Sequence, residues 1–183
     1  MLREPAVAGR FYPQDKDKLL KTLRNYCQTS LDKVEACGCI LPHAGYMFSG
    51  RTAGKTISRV KIKERVILLG PNHTGEGHPF SVYAKGGWLT PLGEIKVDEE
   101  LSGLLLEKVP HLQEDYSAHI YEHSLEVQLP FLQYFNPSLK IVPICLGGGN
   151  LDTWKKIGQD IAGVIKDNHL DVLIVASSDM THY

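Results

Sequence analysis

The sequence predicts an α/β fold in which helices flank a central, mainly parallel sheet. Apolar runs of strand length alternate with amphipathic segments of helix length along most of the chain. Residues 65–69 are almost continuously apolar, as parallel strands buried on both faces are. With 183 residues, of which 43% are hydrophobic, the chain can bury one sizeable core. We therefore expect a single α/β domain over residues 1–183.

Capping residues, periodicity and turn residues predict the individual elements. Asp15 suits a helix N-cap, and the leucines that follow it on one face predict a first helix to about residue 27. Glycine pairs and a Pro-Leu-Gly turn predict a hairpin insertion between residues 80 and 97, and Pro130 predicts a kink in a helix that ends near residue 135. The remaining predicted elements are strands at 36–41, 65–69, 140–146 and 171–176 and helices at 50–60, 98–108 and 151–166.

Charge and hydropathy narrow the choice of partner and compartment. Twenty Lys and Arg residues against 21 Asp and Glu residues give a net charge of -1, and no basic run is present. We therefore expect a small-molecule or peptide ligand and no nucleic acid. The N-terminus lacks an apolar signal region, and no segment approaches the ~20 apolar residues of a membrane span. These features predict a cytoplasmic protein with no membrane partner, whose four cysteines are thiols.

Three histidines, His43, His73 and His182, each follow an apolar run that is predicted to be a strand. The carboxyl ends of parallel strands form one rim of an open sheet, where ligands bind, so these imidazoles predict a site. Two histidines and one carboxylate, with open positions for oxygen and substrate, are typical of non-haem Fe(II) oxygenases. The candidate carboxylates are Asp179, Glu122 and Glu126.

Other polar residues have a structural interpretation beside a functional one. Glu122 and Glu126 are four residues apart and suit the positive end of a helix dipole, but this does not explain His123, which stays a site candidate. Cys37 and Cys39 are interpreted as core residues, with soft metal ligation as the alternative. The remaining histidines, His78, His111, His119 and His169, are interpreted as surface or loop residues.

Five motifs in a fixed order resemble the Memo family, whose fold is similar to that of the class III extradiol ring-cleaving dioxygenases. The resemblance covers essentially the whole chain. The motifs are Pro5-Ala6-Val7-Ala8-Gly9-Arg10-Phe11-Tyr12-Pro13, Pro42-His43-Ala44-Gly45-Tyr46, Leu69-Gly70-Pro71-Asn72-His73, Glu122-His123-Ser124-Leu125-Glu126 and Ser177-Ser178-Asp179-Met180-Thr181-His182.

The resemblance implies a role for each matched residue. His43 and His73 would be the metal ligands, and His182 would be the acid/base near the substrate. Asp179 would line the same cleft, with His123 contributing from the helix start. The third metal ligand is a later glutamate in the ring-cleaving enzymes and a cysteine in Memo proteins. Both positions lie beyond Tyr183, which stands just after the last predicted strand, so we expect a C-terminally truncated chain that lacks this ligand.

Two functions are compatible with this pocket. The first is a metal-dependent, dioxygenase-like oxidoreductase of unknown substrate, with non-haem Fe(II) as the metal and copper or zinc as alternatives. The second is a non-catalytic binding or signalling module that holds a peptide or small anion in the same cleft. Fold alone does not decide between them.

Overall fold

The computed structural model describes residues 1–181, within which nine strands join one sheet. The strands are β1 (Leu2–Arg3), β2 (Gly38–Leu41), β3 (Arg65–Pro71), β4 (Phe80–Val82), β5 (Gly87–Thr90), β6 (Gly93–Val97), β7 (Gln113–Glu114), β8 (Lys140–Leu146) and β9 (Val172–Ser177). Their order is β1-β5-β6-β8-β3-β9-β2, with β4 joined to β8 and β7 to β4. The β4/β8 and β5/β6 pairs are antiparallel, and every other pair is parallel. The predicted α/β fold with a mainly parallel sheet is confirmed.

Helices cover both faces of this sheet. They are α1 (Lys16–Tyr26), α2 (Tyr46–Ile57), α3 (Glu99–Lys108), α4 (Ser117–Ile120), α5 (Leu129–Phe135) and α6 (Leu151–Asp167), with a 3-10 turn at Glu126–Gln128. Along β3, Val66 and Leu68 join the core cluster that contains α1, α2 and α5, whereas Ile67 joins the cluster that contains α3 and α6. This alternation is the reason for the continuous apolar run of β3, because both faces of the strand are buried. Among the helices of residues 1–181, none has the length and apolarity that a bilayer crossing requires.

Three local predictions differ from the structure. Helix α2 begins at Tyr46 rather than near residue 50, because the buried Tyr46 side chain donates to the Val127 carbonyl and its backbone N–H donates to the Phe11 carbonyl. Pro130 lies in the first turn of α5, where its missing N–H costs no hydrogen bond, so it starts a helix rather than kinking one. The 80–97 segment includes the predicted β5/β6 hairpin, but it extends the main sheet through β6 and β8 rather than standing apart.

The N-terminal segment is attached to the 3-10 turn by a buried ion pair. Arg3 Nη1 donates to Glu126 Oε2 at 2.8 Å, and both side chains are almost fully buried. The same carboxylate accepts the backbone N–H groups of Ala6 and Val7 and the hydroxyl of Tyr12, at 2.7 to 3.0 Å. Both oxygens of Glu126 therefore bind the N-terminal segment. Glu126 lies in the first turn of the 3-10 helix, as an acidic residue at a helix start should, but the hydrogen-bond partners of its carboxylate belong to the N-terminal segment and not to the imidazole cluster.

The parallel strands β3, β9 and β2 are neighbours, so their carboxyl ends lie at one edge of the sheet. The register sets Leu41 opposite Ser177 and Leu69 opposite Ala176. The loops that follow these strands therefore begin side by side, and the two strand-end histidines, His43 and His73, lie on them.

Candidate metal centre

Three imidazoles converge at the carboxyl edge of the sheet. His43 and His73 come from the loops after β2 and β3, and His123 comes from the segment just before the 3-10 turn. Their ring centroids lie 5.1 Å apart for His43 and His73, 5.6 Å for His43 and His123, and 4.6 Å for the stacked pair His73 and His123. One ring nitrogen of each lies within 4.8 Å of the others. The sequence led us to expect two ligands in this chain, and the structure offers a third nitrogen donor. His182 lies outside the described residues.

The His73 ring is oriented by the buried carboxylate of Glu122. His73 Nδ1 lies 2.9 Å from Glu122 Oε1, and the His73 backbone N–H donates to Oε2 at 2.5 Å. Oε1 also accepts the backbone N–H groups of His123 and Ser124, and His123 Nδ1 lies 3.4 Å from it. Because a carboxylate accepts, His73 donates its Nδ1–H and keeps a free lone pair on Nε2. Glu122 thus orients a histidine from outside the cluster, as carboxylates do in metal sites.

His43 is held by the end of β9 and by the loop after it. Its Nδ1 lies 3.0 Å from Ser177 Oγ, and its backbone N–H donates to Asp179 Oδ1 at 2.7 Å. The other carboxylate oxygen, Asp179 Oδ2, lies 3.8 Å from His43 Nε2. An anionic oxygen therefore borders the imidazole cluster. Of the predicted site residues, the structure brings together His43, His73, His123 and Asp179.

Burial and hydrogen bonds shift the pKa values of two imidazoles and one carboxyl group of the site. Burial lowers the pKa of His43 and of His123, and it outweighs the opposing effects of Asp179 on the first and of Glu122 on the second. Burial alone would raise the pKa of Glu122, but hydrogen bonds from the His73 ring and from the Ser124 and His73 backbone N–H groups hold it below its usual range. Neutral His43 and His123 beside an ionised Glu122 suit the binding of a divalent metal.

The residues fit a transition metal. Metal–nitrogen bonds of about 2.0–2.1 Å set tetrahedral ligand nitrogens about 3.4 Å apart. The three nitrogens lie within 4.8 Å of one another, so they would have to approach by no more than about 1.4 Å to reach this spacing. The exposed fraction of the side chain rises from 5% at His43 through 23% at His123 to 40% at His73, so the cluster is open to solvent on one side. Imidazole donors suit iron, copper and zinc alike.

Two groups of residues differ from their sequence interpretation. His119, interpreted as a surface or loop residue, lies in α4 and is fully buried. Its Nε2 lies 3.2 Å from Ser81 Oγ, and its Nδ1 lies 3.4 Å from Cys145 Sγ. Burial lowers the pKa of His119 to about 3. Cys37, which lies just before the edge strand β2, is an exposed thiol rather than a core residue, and Cys39 within this strand is half-buried.

Three contributors to the site were not among the predicted site residues. Ser177 and Gln128 contact each other and the His43 loop, and Phe11 packs on the His123 ring with 4.8 Å between ring centroids. Serine, glutamine and phenylalanine are common in cores and loops, so only their contacts identify them. Phe11 and Ser177 lie in two of the five motifs that resemble the Memo family, and this is their signal in the sequence. Gln128 lies in none of these motifs.

The fold and the site together define an α/β protein with an imidazole cluster at the carboxyl edge of its parallel strands. A family profile described as Memo-like protein matches residues 3–183. The chain is 47% identical to a MEMO1 family protein of Aquifex aeolicus and 46% identical to one of Archaeoglobus fulgidus, in each case over all of this chain and 68% of the relative. A MEMO1 family protein of Methanopyrus kandleri is 38% identical over all of this chain and 70% of its own length. The chain belongs to the Memo family.

Proposed function

We propose that the chain binds one divalent transition metal through His43, His73 and His123 and acts as a metal-dependent oxidoreductase. The observation that carries this proposal is the convergence of three imidazoles whose ligand atoms lie within 4.8 Å of one another. The Nδ1 atoms of His43 and His73 are engaged by Ser177 and Glu122, so both rings offer Nε2. Engaged outer nitrogens are typical of metal-binding histidines.

This proposal gives His123 a different role from the one that the family resemblance implied. The resemblance placed His123 in catalysis with Asp179 and His182. The stacking of His123 on His73 and its place among the three nitrogen donors support a ligand role instead. Asp179 would supply negative charge beside the nitrogens, because its Oδ2 lies 3.8 Å from His43 Nε2. His182 keeps the proposed role of proton transfer.

The chain's own residues would prepare the reaction in three ways. Glu122 and Ser177 hold two rings in place, Asp179 fixes the His43 backbone, and Phe11 shields one side of His123 from water. A bound metal with open positions supplies Lewis-acid and redox chemistry at this edge of the sheet. We propose Fe(II) as the metal, with copper and zinc as the alternatives that the same nitrogen donors accept.

A binding module is the second candidate, and one observation favours it. Apolar side chains with large exposed fractions lie next to site residues in the chain. Met47 and Phe48 begin α2 just after the His43 loop, Tyr121 precedes Glu122, and Met180 follows Asp179. Exposed apolar groups beside a cleft are typical of a surface that holds a ligand or a peptide. In this function the cleft would bind without chemistry.

Metal content tests the proposed centre. The protein is loaded separately with Fe(II) under anaerobic conditions, Cu(II) or Zn(II), dialysed, and measured by elemental mass spectrometry. We expect about one metal per chain, and loss of most of it in His43→Ala, His73→Ala and His123→Ala. The matched control is His169→Asn, because His169 is exposed and precedes the start of β9, whereas the site lies at the carboxyl end of that strand. Metal content that is unchanged in all three alanine variants would overturn the proposal.

Oxygen consumption then separates the two functions. The iron- or copper-loaded protein is incubated with a panel of catechols in an oxygen electrode. Metal-dependent oxygen uptake that disappears in His43→Ala supports the oxidoreductase. Stoichiometric metal without oxygen uptake on any catechol, together with saturable binding of a peptide or anion, supports the binding module.

A further inference from the structure

The Nδ1 side of His43 faces a group of buried polar residues behind the metal centre. Ser177 ends β9, Gln128 lies in the 3-10 turn, and Ser124 precedes that turn. All three are buried, with at most 3% of any of them exposed. Every polar hydrogen among them needs an acceptor, because a buried unpaired group costs free energy.

Counting hydrogens assigns the direction of each bond. Gln128 Nε2 lies 3.0 Å from the Pro42 carbonyl and 2.9 Å from Ser177 Oγ. The Pro42 carbonyl only accepts, so the amide NH₂ faces it, and the second N–H of this group donates to Ser177 Oγ. The flipped amide would set two carbonyl oxygens against each other. Within residues 1–181, the buried Gln128 Oε1 has no hydrogen-bond partner, which costs free energy. In this orientation the Gln128 side chain acts as a donor in both of its hydrogen bonds.

The Ser177 hydroxyl has one hydrogen, which it donates to the Ser124 carbonyl. Ser177 Oγ lies 2.6 Å from the Ser124 carbonyl oxygen, which only accepts, so the hydroxyl donates there. One lone pair of Oγ accepts from Gln128. The remaining lone pair faces His43 Nδ1 at 3.0 Å, so that nitrogen must carry the hydrogen. If the Ser177 hydroxyl donated to His43 Nδ1 instead, the Ser124 carbonyl would lose this hydrogen bond.

We infer that Ser177, with Gln128 and Ser124, fixes His43 in the Nδ1–H tautomer and thereby presents the Nε2 lone pair to the imidazole cluster. Ser177 is a positioning residue, because it acts on the site through His43. His73 reaches the same tautomer through Glu122, so a neutral hydroxyl and a carboxylate serve the same purpose for two histidines of the cluster. The effect on metal binding rests on the proposed function. The tautomer of His43 is a property of the metal-free chain.

Nitrogen-15 NMR of the imidazole rings tests the tautomer without any metal. In the metal-free protein at pH 8, long-range ring correlations should show His43 with a protonated Nδ1 and an unprotonated Nε2. Ser177→Ala should release His43 toward the Nε2–H form, because the hydroxyl acceptor is gone. Ser178→Ala is the matched control: Ser178 is the next residue, and the contact it makes to the Leu41 carbonyl is through its backbone N–H, which alanine keeps.

Metal affinity is the second measurement. Loss of a partner of this kind costs about 10- to 100-fold in affinity, so Ser177→Ala should weaken Zn(II) binding by that factor while Ser178→Ala does not. If Ser177→Ala does not fold, the wild-type spectrum alone decides, since a protonated Nε2 on His43 would refute the inference. Tight metal binding with an unchanged tautomer in Ser177→Ala would also overturn it. The expected tautomer in a protein that binds no metal would support the positioning role and overturn the proposed function instead.

Discussion

Replacing Glu126 with alanine should cost the fold at least about 4 kcal/mol. The substitution leaves the Arg3 guanidinium buried without its carboxylate, and breaking a buried pair by removing one partner costs about 3–5 kcal/mol. The buried Val7 N–H also loses its acceptor, at about 1–3 kcal/mol. Domains of this size are stable by about 5–15 kcal/mol in total, so the variant is expected to be marginally folded.

Urea denaturation followed by circular dichroism measures this loss, and two further variants refine it. Glu126→Gln keeps the shape and one acceptor oxygen, but it also leaves the buried Arg3 guanidinium without a carboxylate, so this variant should lose less than Glu126→Ala and still at least about 3 kcal/mol. In the double variant with Arg3→Met, the loss should be smaller than the sum of the single losses, because no buried charge is stranded.

The matched control for Glu126 is Glu35→Gln. Glu35 pairs with Lys61 at 2.6 Å, a similar distance, but both side chains are more than half exposed, so the free energy of unfolding should not change measurably. A loss below about 1 kcal/mol in Glu126→Ala would refute the reasoning, because it would mean that the buried guanidinium is solvated without its carboxylate.

Two further predictions concern stability. Burial and Arg3 lower the pKa of His119 to about 3 in the folded protein. As the pH falls below 6.5, His119 therefore binds a proton in the unfolded chain but not in the folded one. His119 alone should therefore lower the free energy of unfolding by about 1.4 kcal/mol per pH unit toward pH 3, so urea denaturation should give a shallower slope in His119→Gln. Gly54→Ala should lower the melting temperature, because its Cβ would lie 2.6 Å from the Tyr26 carbonyl oxygen, whereas exposed Gly103→Ala in α3 meets open space and should raise it.

The fold was predictable because its strands are buried on both faces. A strand such as β8 is apolar after Lys140 and has the bounds that the sequence predicts, and Asp15 caps α1 as expected. The start of α2 was not predictable, since Gly50 and Gly54 weaken its helical propensity. Both glycines are required because Tyr26 approaches them closely from α1, and that contact is made between residues more than twenty positions apart.

The site was predictable in part, for a similar reason. His43 and His73 follow strands, and a parallel sheet places the carboxyl ends of its strands at one edge. The role of Glu122 depends on a hydrogen bond to a residue 49 positions away, and that of Ser177 on one 134 positions away. From the sequence, Glu122 could be a helix-start carboxylate or a metal ligand, and Ser177 is identified only as part of a motif. Neither residue type nor spacing carries the distinction.

The buried ion pair and the imidazole cluster share one segment of backbone. Glu126 is three residues after His123, and its carboxylate fixes that segment against residues 3–12. Phe11, on the same N-terminal segment, packs on the His123 ring, and the Phe11 carbonyl also accepts the first N–H of α2, three residues after His43. The N-terminal segment therefore contacts two of the three histidine-bearing segments while contributing no ligand. Its motif is best explained by this positioning, because a metal centre assembled from separate loops needs a common support to hold nitrogen atoms within bonding range.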